Sequence, residues 1–267
     1  MNRRTLLQAV GTTGLTSLAG CAGMLSNTSE SNSTTTPTTQ TQGAIKDTSI
    51  DGTKLVVSLS SEADVEKVNV IGPNGSPSLG SQSIPTGSTK ASFNVLQSVP
   101  RGTHRAVAVS SGEVVGEASV DLHPNVEIDR VATWLQTDDV EWPTGEKYFQ
   151  AYLELSNTGT TPQQITFLGM PGVPGSWPKR SATSFSGLQT LEGDRLKNVV
   201  LHPGETRQFF TVDGPFLFGT EFTCGDSTEL SVVLSTKIGA NVKNSYRLVT
   251  EDPDDPQKAC RQYVKPQ

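Results

Sequence analysis

The sequence is poor in the side chains that most enzymes rely on. Of its 267 residues only three are His, three Cys and three Met, and aromatics make up 6%. The histidines, at 104, 123 and 202, show neither His-x-x-His nor His-Glu-x-x-His spacing, which removes the zinc-hydrolase pattern. Neither a Gly-x-Ser-x-Gly elbow, a phosphate loop nor a Gly-x-Gly-x-x-Gly turn occurs, so hydrolase, kinase and dinucleotide-binding readings lack their physical parts. A blue-copper centre needs His and usually Met close behind its Cys, and neither follows Cys224. Basic runs of five or more are missing and the net charge is −6, which disfavours nucleic acid and anionic headgroups as partners. No window carries a capped 3.6-residue periodicity, and no apolar run is long enough to span a bilayer, so coiled coils and multipass membrane proteins are excluded.

What the chain does have begins at its first residues. Arg3 and Arg4 precede an uncharged, mildly apolar stretch from Thr5 to Gly20 that is broken by Thr12, Thr13, Thr16 and Ser17. At 16 residues it is too short and too polar for a spanning helix, and the arginine pair fits a twin-arginine export signal over residues 1–20. Leu18-Ala19-Gly20-Cys21 closes the segment. Small side chains there admit a peptidase, and a thiol can take a lipid whose buried methylenes each contribute ~0.8 kcal/mol of membrane affinity.

Residues 26–43 hold 11 Ser or Thr among 18 and nothing apolar to bury, so residues 21–43 read as a lipidated Cys followed by a disordered stalk. Asn27 and Asn32 open Asn-x-Ser/Thr sequons within it, and Asn74 opens another in a later turn; all three are glycosylation candidates. The arginine pair, Leu-Ala-Gly-Cys and the Thr/Ser tract together resemble the export-and-anchor arrangement of haloarchaeal surface lipoproteins. That resemblance implies a lipid on Cys21 and a chain exported and held to the outer face of the cell membrane.

From Ala44 onward, short period-two runs alternate with Gly/Pro/Asn/Ser turns, the signature of antiparallel sandwiches. The expected fold class is all-β, with two immunoglobulin-like antiparallel sandwiches. The first, at 44–122, has six or seven strands. Its Pro100-Arg101-Gly102-Thr103-His104 is similar to the Pro-x-Gly-x-Tyr strand entry of many immunoglobulin-like surface domains, with His104 where the corner tyrosine would stand. The second, at 125–267, follows His123-Pro124 and holds eight of nine Phe, all three Trp and all four Tyr. Its Asn157-Thr158-Gly159 and its later Leu201-His202-Pro203-Gly204-Glu205-Thr206 resemble the turns of CARDB-like modules in prokaryotic surface proteins. Trp134 reads as core in a strand with Val126 and Ile128.

Cysteine parity gives a pairing. With Cys21 lipidated, Cys224 and Cys260 remain outside the membrane, where disulfides persist. Cys260 sits in a polar tail that otherwise has little to hold it, so a structural Cys224–Cys260 disulfide is expected. Asp138, Asp139 and Glu141, like the acidic run at 251–255, lack an alternating Asp-x-Asp-x-Asp calcium loop and read as solvated surface. No metal, cofactor or catalytic residue is expected.

Trp142-Pro143 and Trp177-Pro178 fall in loop-like sequence, where a ring either stacks on a glycan or protein partner or plugs the open end of a sandwich. The functional expectation is a non-enzymatic, membrane-anchored surface lipoprotein presenting its sandwiches for adhesion or protein interaction. An accessory subunit of a membrane transport or envelope complex is the alternative, and an enzyme with a site in the 171–200 loop the least favoured.

Overall fold

The computed structural model describes residues 41–75, 77–97, 99–143, 147–173, 186–216, 223–238, 241–253 and 260–267. Cys21, Arg3, Arg4, Asn27, Asn32 and Trp177 lie outside these residues. The fold is all-β, and every strand pairing is antiparallel. None of the described helices is long and apolar enough to cross a membrane.

Eight strands build the first sandwich: β1 (Thr41–Gly43), β2 (Ile45–Asp51), β3 (Lys54–Leu59), β4 (Lys67–Ile71), β5 (Pro77–Ser83), β6 (Lys90–Asn94), β7 (Gly102–Ser110) and β8 (Glu113–Leu122). One sheet has the order β1-β8-β7-β4-β5 and the other β2-β3-β6. Alternation sets which side chains face inward: Leu55, Val57 and Leu59 from β3 meet Val68 and Val70 from β4 and Val120 and Leu122 from β8 in one core. Each such side chain contributes about 1.5–3 kcal/mol by leaving water. Ser111 and Gly112, both at positive φ (51° and 83°), close β7 onto β8 as a two-residue turn whose twist matches the strands.

Thr41–Gly43, expected within the Ser/Thr-rich tract, form a strand. Thr41–Gly43 pair with Ala118–Gly116 of β8, and at Ala44 the chain then crosses to β2 in the other sheet. Two glycines allow this. Gly43 takes φ +71°, and a Cβ on the facing Gly116 would lie 2.6 Å from the Ala44 nitrogen.

The third residue of β7 is a buried histidine. His104 is fully buried, and its Nδ1 lies 2.8 Å from the Gly102 carbonyl, while Nε2 has no hydrogen-bond partner among the described residues. Burial holds the imidazole below its usual pKa, against the smaller opposing effects of the Gly102 carbonyl and Asp121. The folded state therefore favours neutral His104, whereas the unfolded chain takes up a proton below about pH 6.5. Stability of the first sandwich is expected to fall as the pH drops from 7 towards 5, and His104→Phe should flatten that slope. Urea titrations at several pH values check this, and equal slopes in the two proteins would contradict it.

The second sandwich comprises β9 (Glu127–Ala132), β10 (Tyr152–Ser156), β11 (Gln163–Gly169), β12 (Leu188–Gln189), β13 (Arg195–Leu196), β14 (Val199–Leu201), β15 (Thr206–Thr211), β16 (Ser227–Thr236), β17 (Val242–Glu251) and β18 (Arg261–Pro266). Its sheets run β13-β12-β15-β10-β9 and β14-β11-β16-β17-β18. Leu153, Leu155, Ile165, Leu168, Phe209, Leu230, Val232 and Leu248 fill the space between them. A smaller cluster of Ala132, Tyr152 and Phe210 is packed against by Val140 and Trp142.

Trp134 departs from expectation. It lies beyond β9 in a single 3-10 turn (Trp134–Gln136), half-buried and outside the core, because the strand ends at Ala132 and the Gln136 N–H closes the turn on the Thr133 carbonyl at 3.0 Å. The C-terminal tail also differs. It is a strand, β18, paired along its length with β17. On its other side the Gln136 carboxamide imitates a strand backbone, donating to the Val264 carbonyl (2.8 Å) and accepting from the Val264 N–H (2.7 Å). Thr133 adds a donation to the Gln262 carbonyl at 2.7 Å. An amide side chain thus occupies groups that an edge strand would otherwise leave open.

Candidate functional site

The two turn motifs of the second sandwich meet each other, and the first of them grips the segment that leads from the first sandwich. Asn157, 1% exposed, is the centre. Its Nδ2 donates to the carbonyls of Thr161 and Leu201, each at 2.8 Å, and its Oδ1 accepts from the Gly159 N–H at 3.0 Å. Its backbone closes the other motif: the Asn157 N–H donates to the Glu205 carbonyl (2.9 Å), and the Gly204 N–H donates to the Asn157 carbonyl (2.8 Å). Glu205 completes that turn by accepting from the His202 N–H at 2.7 Å. One buried amide therefore ties the β10–β11 turn to the β14–β15 turn.

The same loop holds the connecting segment. Thr160 Oγ1 accepts from the His123 N–H (2.8 Å) and donates to the Asp121 carbonyl (2.7 Å), while the Thr160 N–H donates to the His123 carbonyl (2.9 Å). Gly159 packs so closely that a Cβ there would run into the His123 carbonyl and lie 2.6 Å from the Asn125 nitrogen. Thr158 Oγ1 receives a hydrogen bond from Asn125 Nδ2 (2.7 Å) and donates to Glu127 (2.8 Å). The Asn-Thr-Gly-Thr sequence is thus a clasp between sandwiches as well as a turn. Beside it lies a cavity of about 550 Å³, lined by Val99 and Arg101 of the first sandwich, residues 124–127 of the connection, and Gln163, Thr236, Ile238, Asn241 and Val242 of the second.

The strand directions fix which described residues lie at the opposite end of the second sandwich. β9 and β11 begin near the clasp, and β10 and β14 end there. Residues 133–143 and 147–151, with residues 170–173, 223–226 and 260, consequently gather at the far end. The Cys224–Cys260 disulfide is there, with its Cα atoms 5.4 Å apart, joining the turn before β16 to the start of β18.

Trp142 is also in this region, half-buried. Its ring centroid stands 5.0 Å from that of Phe210, and its Nε1 donates to Thr137 Oγ1 at 2.9 Å. Ring and N–H are both engaged within the fold. Next to it Tyr152 is fully buried, donates to Glu154 at 2.9 Å and has the Arg130 guanidinium 5.4 Å from its ring. Burial first, and the Glu154 hydrogen bond second, push its phenol well above the usual range, so it stays protonated.

Of the acidic residues, Asp139 pairs with Arg130 at 3.7 Å, and Asp254 and Asp255 lie outside the described residues. Among the described residues no group of three or more His, Cys, Asp or Glu is placed to hold a metal ion. Asn74 is exposed at the β4–β5 turn, where the Gly75 N–H donates to the Gly72 carbonyl.

Sequence reasoning missed two features. It read Asn157–Gly159 as a turn alone, although the buried position of an amide two residues before a glycine is the trace of the clasp. It also passed over Lys147-Tyr148, of which Tyr148 is exposed and sets its ring edge-on to Trp134, with centroids 4.8 Å apart.

No protein-family model and no curated protein matches the chain. Among solved structures, a glycosyl hydrolase family 2 member from Bacteroides cellulosilyticus is 14% identical, with a TM-score of 0.23 over 73% of this chain and 23% of that one. A β-glucuronidase from Parabacteroides merdae is 12% identical, with a TM-score of 0.19 over 78% of this chain and 24% of that one. The chain spans about a quarter of these enzymes, and at such scores the likeness bears on neither its fold nor its function.

Proposed function

We propose that the chain is a non-enzymatic lipoprotein, exported through its Arg3-Arg4 signal, anchored at the outer membrane face by a lipid on Cys21, and presenting its two sandwiches for adhesion or protein interaction. The observation that carries this reading is the clasp. Hydrogen bonds and close backbone packing join the second sandwich to the connecting segment, while the rings of Trp134, Trp142 and Tyr148 gather at the opposite end. A fixed joint of this kind presents one end of a domain in a set direction, which suits recognition by a surface protein. Stalk residues before Thr41 supply reach, and glycans on Asn27, Asn32 and Asn74 would fit an outward-facing protein.

Membrane fractionation tests the anchor. Native chain is expected with the membranes, Cys21→Ser in the soluble or secreted fraction, and Arg3→Lys with Arg4→Lys retained inside the cell. Unchanged membrane association of Cys21→Ser would overturn the anchor. The second reading, an accessory subunit of a transport or envelope complex, has the same loop-bearing end as its docking surface. Co-purification of a stoichiometric membrane complex from gentle detergent would favour it.

A further inference from the structure

Two rings at the loop-bearing end of the second sandwich form a corner. Trp134, on the 3-10 turn, and Tyr148, in the loop that leads to β10, stand at 83° to each other with centroids 4.8 Å apart. Trp134 is half-buried and held in place by the turn whose Gln136 is bonded to β18, whereas Tyr148 is 52% exposed. The ammonium group of Lys147 sits in the corner, 5.3 Å from the Trp134 centroid and 5.6 Å from that of Tyr148. Both distances are within the range at which a ring face attracts a cation, and two faces at right angles attract one cation together.

A large exposed tyrosine beside a half-open tryptophan is not explained by packing, since neither ring belongs to the core clusters. We propose that this corner is a binding site for an alkylammonium cation, occupied at rest by the chain's own Lys147. Lys147 is on a loop and is joined to the site only by its flexible four-carbon stem, so an incoming ammonium displaces it without moving a strand. The two sources of this chemistry are a lysine side chain on a partner protein and a free quaternary ammonium solute. The inference adds to the proposed function the group that a partner presents. Its test is independent of the anchor, because it reads Trp134 whether or not Cys21 holds a lipid.

The experiment uses the purified full chain labelled with 5-fluorotryptophan, with the Trp134 resonance assigned by Trp134→Phe. Tetramethylammonium chloride and N-acetyl-lysinamide are titrated separately, against sodium chloride at matched ionic strength. In Lys147→Met, which keeps the length of the stem and removes the resident charge, the Trp134 resonance should shift saturably. The midpoint should be about tenfold lower than in the native chain, and adding Tyr148→Leu should raise it again. A tighter midpoint for N-acetyl-lysinamide assigns the site to a partner's lysine, and a tighter one for tetramethylammonium to a free solute. The absence of a saturable shift in Lys147→Met, or a midpoint indifferent to Tyr148→Leu, overturns the proposal.

Discussion

Replacing Cys224 and Cys260 together with serine should lower the stability of the second sandwich by about 3–4 kcal/mol. The separation is 36 residues, and in the chain-entropy account a closed loop of that length restricts the unfolded chain by about this much. The folded state offers the bridge two firm ends. On one side the Thr223–Asp226 turn is fastened to β17, where Thr250 Oγ1 donates to the carbonyls of Thr223 (3.2 Å) and Asp226 (3.0 Å). On the other, β18 is hydrogen-bonded to β17 and to Gln136. These contacts survive in the double-serine variant, so it should still fold at neutral pH but with a lower urea midpoint. Serine replacement of one cysteine alone leaves a free thiol and is the less clean comparison. A loss below about 1 kcal/mol would show that the unfolded chain is already restricted there, or that the bridge strains the native fold.

Asn157→Ala should cost about 3–5 kcal/mol, the largest effect of any single substitution considered. It leaves the carbonyls of Thr161 and Leu201 and the N–H of Gly159 without their partner in a buried site, at about 1–3 kcal/mol for each group. Asn157→Asp should be no better. It preserves an acceptor for Gly159 but turns a carboxylate oxygen towards the two carbonyls that need a donor. Because the same loop holds His123 and Asp121, the loss should extend to the joint: hydrogen exchange should quicken at His123 and Thr160, whose N–H groups are bonded across it. Denaturant titration together with exchange at these two amides checks the prediction. A change within 1 kcal/mol, with both amides as protected as before, would contradict it.

Much of the fold could be read from alternation. Leu55, Val57 and Leu59, or Leu153 and Leu155, differ from their neighbours by burial alone, and a period of two records burial directly. The Cys224–Cys260 pairing was legible for a different reason: parity is a counting argument and needs no geometry. Where partners lie far apart in sequence, the pattern was silent. Nothing near Gln136 announces Val264, 128 residues away, so the tail looked unsupported although it is a strand. Trp134 was assigned to the core on the strength of an apolar face, but Thr133 turns the chain one residue earlier and carries the ring out of the sheet. The stalk boundary was misplaced because Thr41-Gln42-Gly43 has no apolar residue. Its place beside β8 depends on backbone hydrogen bonds and on the absence of side chains at Gly43 and Gly116, neither of which hydrophobicity reports. The clasp was half visible, as two turns, and the contact between them was not.

Presentation at a surface requires that the chain be held there, and Cys21 is the residue proposed to hold it. Intact-mass and peptide analysis of the protein extracted from membranes tests it most directly. The result expected is a mature chain whose first residue is Cys21, carrying added lipid mass on that residue, with residues 1–20 absent. A membrane-extracted chain that still begins at Met1, or one that carries an unmodified Cys21, would contradict it.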